Sequence, residues 1–172
     1  MEHPYVMKTN LSHHLPAAAA LFAVLNATAQ EDNYVPNGSF ENSDLRKLKS
    51  QGQLEEFTED WFSATEAALD LYAEGMKSEK VNIPNNVYGK QEAADGVCYA
   101  GFRAFSKDPK LTRTYFEVAL ETELAKNQLY CVSFDISLSD LSRYAVNGVG
   151  AYLSDRKIEQ GNTGVLNRKA SV

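Results

Sequence analysis

Histidine is nearly missing from this 172-residue chain: it has three, His3, His13 and His14, all close to the start. Around them the sequence reads as a secretory signal. Met7-Lys8 gives a short charged region, Leu15 to Leu25 an apolar run, and Ala27-Thr28-Ala29 the small residues of a cleavage site. The apolar run falls short of the roughly 20 residues that a membrane span requires. Cleavage after Ala29 leaves a mature chain beginning at Gln30, and every histidine departs with residues 1–29. A histidine general base, a Ser-His-Asp triad and a His-bearing zinc site are thereby excluded from the mature chain. The adjacent His13-His14 pair is for the same reason no metal site.

Clustered positive charge is also scarce. The net charge is −6, and the densest basic group, Arg46-Lys47-Lys49, is interrupted by Leu48 and followed by Glu55-Glu56. That pattern argues against a phosphate-neutralising nucleic-acid surface. Cysteine is limited to Cys98 and Cys131. In a chain bound for an oxidising compartment an even count favours a disulfide, and two separate buried thiols in neighbouring strands are the other reading. A catalytic thiol is disfavoured, since no histidine remains to activate it. Gly89, Gly96 and Gly101 have no strand-to-helix context, so they do not make a phosphate loop. Glu55, Glu56, Glu59, Asp60, Glu66 and Asp70 are dense, but nothing singles out a catalytic pair, and they read as a solvated acidic surface. The chain is expected not to be an enzyme.

What is present is β patterning. Tyr130 to Leu138 alternates strictly, with Tyr130, Val132, Phe134, Ile136 and Leu138 on one face, which predicts a half-buried strand. Tyr115 to Leu120 alternates likewise, with Phe116, Val118 and Leu120 inward and Glu117 outward, and the two are expected to pair antiparallel. Val97 to Phe105 and Val149 to Leu153 read as further strands, and Ser39 to Glu41 as a short opening one. Asp44 to Gln51 reads as a short helical turn capped by Ser43 or Asp44 and stopped by Gly52. Trp61, between Asp60 and Phe62, is assigned to the core. Short strands punctuated by Gly, Asn and Pro point to an all-β sandwich.

Three segments in fixed order carry a resemblance. They are Asn37-Gly38-Ser39-Phe40-Glu41; Gly52-Gln53-Leu54 leading to Trp61 and Asp70-Leu71-Tyr72; and Pro84-Asn85-Asn86 through Gly89, Gln91, Gly96 and Tyr99-Ala100-Gly101-Phe102. The first resembles the opening strand of galactose-binding-like, carbohydrate-binding-module jelly rolls. The order of all three resembles the N-terminal jelly-roll domain of OmpA-family and gliding- or secretion-associated envelope proteins of Bacteroidetes-type bacteria, over about Tyr34 to Ser154. The resemblance implies a β-sandwich jelly roll. By propensity Ser63 to Met76 would make an amphipathic helix, but the resemblance makes it two short strands joined by a turn. Jelly rolls of this kind close with about eight strands, more than can be placed before Asp155, so the sandwich is expected to be truncated before its last strands. The expected organisation is a signal peptide at 1–29, an incomplete jelly-roll binding domain at 30–155 and a polar tail or truncated remainder at 156–172.

The resemblance further implies that Glu41, the acid of the opening element, helps hold a structural calcium; a surface glutamate is the plainer reading. A glycan site needs an exposed aromatic platform beside amide or guanidinium side chains. Tyr88 with Asn85, Asn86 and Gln91, Tyr144 near Arg143 and Asn147, and Arg103 sharing a face with Tyr99 meet that description, and a rim-of-core tyrosine with a wet hydroxyl is the alternative for each ring. The implied role is a non-catalytic module of the periplasm or outer membrane. It would bind a glycan or envelope component, or serve as an assembly module of a secretion or motility complex without sugar affinity.

Overall fold

A computed structural model describes residues 33–172, and the expected signal peptide at 1–29 lies outside the described residues. Strands outnumber helices. They are β1 (Trp61–Ser63), β2 (Asp70–Glu74), β3 (Asn82–Ile83), β4 (Asn85–Asn86), β5 (Gly89–Lys90), β6 (Cys98–Gly101) and β7 (Phe116–Val118). The helical elements are a 3-10 turn over Leu45–Lys47 and the single-turn helix α1 (Leu54–Phe57). No helix among the described residues is long and apolar enough to cross a membrane.

β2 is the centre of the molecule. Leu71, Tyr72 and Ala73 are all buried, so the strand is covered on both faces, and its alanine- and leucine-rich sequence forms a strand despite good helix propensity. It pairs parallel with β3 and antiparallel with β6, with Leu71 opposite Ala100 and Tyr72 opposite Tyr99. Leu48, Leu54, Leu69, Val81, Ile83 and Cys98 pack against it. Leu54, Leu69 and Leu71 are fully buried, and each such side chain contributes about 1.5–3 kcal/mol by leaving water. β1 and β7 form a separate antiparallel pair with Trp61 opposite Val118, and β4 and β5 form a hairpin around Val87-Tyr88.

Trp61 packs from the β1–β7 pair onto the core cluster. Its ring lies 5.0 Å from that of Phe40 and 6.0 Å from that of Phe116, and its indole N–H donates to the Asn37 carbonyl at 2.8 Å. The turn at Asp44 forms, its carboxylate accepting from the Arg46 amide, but it spans only Leu45–Lys47 and ends at an extended Leu48 rather than at Gly52.

Other expectations are corrected. Ser39 to Glu41 is a turn and not a strand, because Asn37 and Phe40 adopt φ 46° and 65° and the Asn37 side chain bonds Asn42 and the Glu59 carbonyl. Tyr130 to Leu138 forms no strand: Val132, Phe134, Ile136 and Leu138 are 43–59% exposed. Its expected partner β7 pairs with β1 instead, and an alternating pattern selects a face without supplying a neighbouring backbone. Val149 to Leu153 is likewise irregular, with Ala151 exchanging backbone hydrogen bonds with Val172. Glu117 is half-buried; its Oε1 accepts from the Ile158 amide and its Oε2 is buried without a partner, and desolvation raises its pKa against the pull of the Ile158 amide. The segment at 156–172 is irregular but attached, through a Thr65–Gln160 bridge and a Leu166 amide donating to the Tyr115 hydroxyl. The architecture is thus a small β-rich domain of three short sheets.

Candidate ligand site around Tyr88

Strand alternation places Asp70 and Tyr72 on one face of β2, and pairing with β6 brings Tyr99 beside Tyr72. The two rings stack at 5.1 Å, with planes 27° apart. This close approach requires Gly101, since a Cβ there would sit 2.7 Å from Cε2 of Tyr72. Tyr72 donates its hydroxyl to Asp70 Oδ2 at 3.0 Å, and Asp70 Oδ1 accepts from the Gly52 amide at 2.7 Å. Burial raises the Tyr72 and Tyr99 pKa values, so both phenols remain protonated. Burial also raises that of Asp70, against the opposing pull of the Gly52 amide, the Tyr72 hydroxyl and the charge of Arg103.

The β4–β5 hairpin stands over this stack. Asn86 donates Nδ2–H to the Tyr99 hydroxyl at 2.7 Å and accepts the Tyr88 amide on Oδ1 at 2.9 Å. The Tyr88 ring meets Tyr72 edge-on at 6.4 Å, with planes 77° apart, and is 38% exposed. Residues far along the chain fasten the hairpin from outside. The Tyr88 carbonyl accepts from Ser139 Oγ and the Leu141 amide, and Asp140 Oδ2 accepts from the Lys90 amide. The result is one exposed ring on a rigid aromatic base, with the Asn85 side chain exposed at the same hairpin.

The sequence-predicted residues divide accordingly. Asn86 and Tyr88 come together, and Arg103 lies close enough for Asp70 to sense its charge while its own Nη1 donates to the Thr112 carbonyl at 3.3 Å. Gln91 is committed elsewhere, its amide bonding Ser137 and the Glu92 carbonyl. Tyr144 packs against Phe105 at 5.2 Å and belongs to another cluster. Asp70 is a partly buried acceptor under Tyr72, a correction to its reading as part of a solvated acidic surface. Sequence reasoning set Asp70 among surface acids and did not count Tyr72 toward a site, although their two-residue spacing in a strand was the available signal.

Glu41 does not suit calcium as expected. Its Oε1 accepts the backbone amides of Val97 and Cys98, both at 2.9 Å, and so terminates the entry to β6. Those N–H groups present positive charge where a cation would need oxygens. Among the described residues no group of three or more His, Cys, Asp or Glu side chains gathers to hold a metal ion. An open depression of about 980 Å³ beside Glu41 does not include Tyr88, and its Arg46 is already paired with Asp44 at 2.8 Å. Cys98 is buried and Cys131 exposed, both as free thiols, so the expected disulfide is not formed.

No protein-family model, curated protein or solved structure matches this chain.

Proposed function

We propose that the chain is an exported, non-catalytic binding module of a bacterial cell envelope, on a jelly-roll-like sandwich, that engages a glycan or other envelope component through Tyr88. The observation that carries this reading is the exposed Tyr88 ring held edge-on by the Tyr72–Tyr99 stack, with the Asn85 amide beside it. An immobilised aromatic face offers a surface for the apolar side of a sugar at little entropic cost, and neighbouring amides suit its hydroxyls. The test is titration of the folded protein with peptidoglycan fragments and a broad glycan panel. Tyr88→Ala should weaken binding by about tenfold, roughly 1.4 kcal/mol, and Tyr88→Phe should retain most of it. Absence of binding to the whole panel removes the reading.

A second reading is an assembly module without sugar affinity, and the exposed apolar run Val132, Phe134, Ile136 and Leu138 favours it. Crosslinking in envelope preparations through residues placed in that run should then capture a defined protein partner.

A further inference from the structure

Residues 103–113 depart from the acidity of the rest of the chain. Arg103, Lys107, Lys110 and Arg113 fall within this stretch against the single acid Asp108, in a chain of net charge −6. The stretch is a built loop. At its base the Thr114 amide donates to the Arg103 carbonyl at 3.1 Å and the Arg103 amide to Thr114 Oγ1 at 2.8 Å. At its tip the Lys110 amide donates to Asp108 Oδ1 and the Asp108 amide to Ser106 Oγ, so the one acid is used to shape the turn. Lys107, Lys110 and Arg113 are exposed, and among the described residues none of them takes part in a salt bridge.

Beside these cations stands an aromatic corner. Phe105 and Tyr144, 41% and 40% exposed, meet edge-to-face at 5.2 Å with planes 79° apart, and Lys107 Nζ lies 5.3 Å from the Tyr144 ring centre. Cations free of salt bridges at three-residue spacing, next to aromatic rings, match a polymer whose sugar rings present apolar C–H faces between regularly spaced carboxylates. A lipid surface fits less well, because the polar residues of the loop interrupt the continuous apolar edge that interfacial insertion uses.

We infer that the 103–113 loop and Tyr144 form a docking surface for an acidic polysaccharide, with Lys107, Lys110 and Arg113 on its carboxylates and the Phe105–Tyr144 corner against its sugar rings. Apart from Arg103 at its base, this surface shares no side chain with the Tyr88 site, and it does not depend on that site.

The test is affinity electrophoresis of the full chain in gels containing polygalacturonate, neutral dextran or no polymer, with co-sedimentation on anionic phosphatidylglycerol vesicles alongside. Polygalacturonate should retard the protein and dextran should not. The K107A/K110A/R113A variant should lose at least about tenfold in apparent affinity, Tyr144→Ala should lose a smaller factor, and Lys77→Ala, an exposed cation outside the loop, should bind as the parent. Should the triple variant melt early, salt reads the same charge on the parent, whose retardation should vanish by about 0.5 M sodium chloride. No retardation by polygalacturonate, retardation unchanged in a folded triple variant, retardation that survives the salt, or binding to vesicles in its place would each overturn the inference.

Discussion

Replacing Glu41 by alanine isolates one carboxylate that ties the start of the chain to β6. Its Oε1 receives two amides: that of Val97, which is exposed, and that of Cys98, which is partly buried in front of a thiol only 3% accessible. Water can take over the Val97 amide, so its loss costs about 0.5 kcal/mol, whereas the Cys98 amide loses a charge-assisted bond and retains no partner, at about 1.5–3 kcal/mol. The sum, about 2–3.5 kcal/mol, should move the urea midpoint down by about 1–2 M for a domain of this size. Glu41→Gln keeps an oxygen without the charge and should show about half the effect. Thiol labelling gives an independent reading. The Cys98 thiol is pushed up to about 12, by burial first and then by the neighbouring carboxylate, while Cys131 is exposed. One thiol should therefore label quickly in the native parent and both in denaturant, and Glu41→Ala should speed the slow one. An alanine variant within about 0.5 kcal/mol of the parent would refute this account. So would a calcium-dependent rise in parental stability that the variant loses, since that would return Glu41 to a metal site.

Two further outcomes follow from the tyrosine stack. Gly101→Ala drives a Cβ to 2.7 Å from Tyr72, which is 2% exposed and cannot swing away, so it should lower stability by about 1–3 kcal/mol in a thermal or urea melt. Asp70 has a folded pKa raised by burial above its ordinary 3.8, so the native state holds its proton more tightly than the unfolded chain does. Its favourable contribution is therefore fully present below the unfolded value and is lost as pH rises through the folded one. Asp70→Asn should accordingly gain stability relative to the parent as pH rises above the ordinary carboxyl value in paired urea melts, and a parallel pair of curves would contradict the assignment.

The parts of the fold that the sequence announced are those where a local signal and a neighbouring strand coincide. Asp70-Leu71-Tyr72 is a strand against its own helix propensity because β3 and β6 flank it on both sides. The Val97 to Phe105 pattern contains β6, and Asp44 caps its turn as its side chain allows. Tyr130 to Leu138 has the strongest alternation in the chain and no strand beside it, so periodicity alone misled there. At the site, Asn86 and Tyr88 were legible because a two-residue hairpin loop holds them within reach of each other. Tyr72 and Tyr99 were not, since their stacking depends on the β2–β6 register, which no single segment encodes. Gln91 and Tyr144 lie outside the Tyr88 cluster for the complementary reason: their partners, Ser137 and Phe105, lie far from them in sequence.

The fastening of the Tyr88 hairpin by Ser139, Asp140 and Leu141 bears on the order in which the molecule can be made. The hairpin leaves the ribosome about fifty residues ahead of the groups that hold it, as the separation between Lys90 and Asp140 gives. At typical synthesis rates of about 5–20 residues per second the nascent chain carries an unanchored tip for several seconds. The tip is therefore completed after the β2–β6 core beneath it can already have closed, and a chain stalled before Ser139 would possess the core without a formed binding tip.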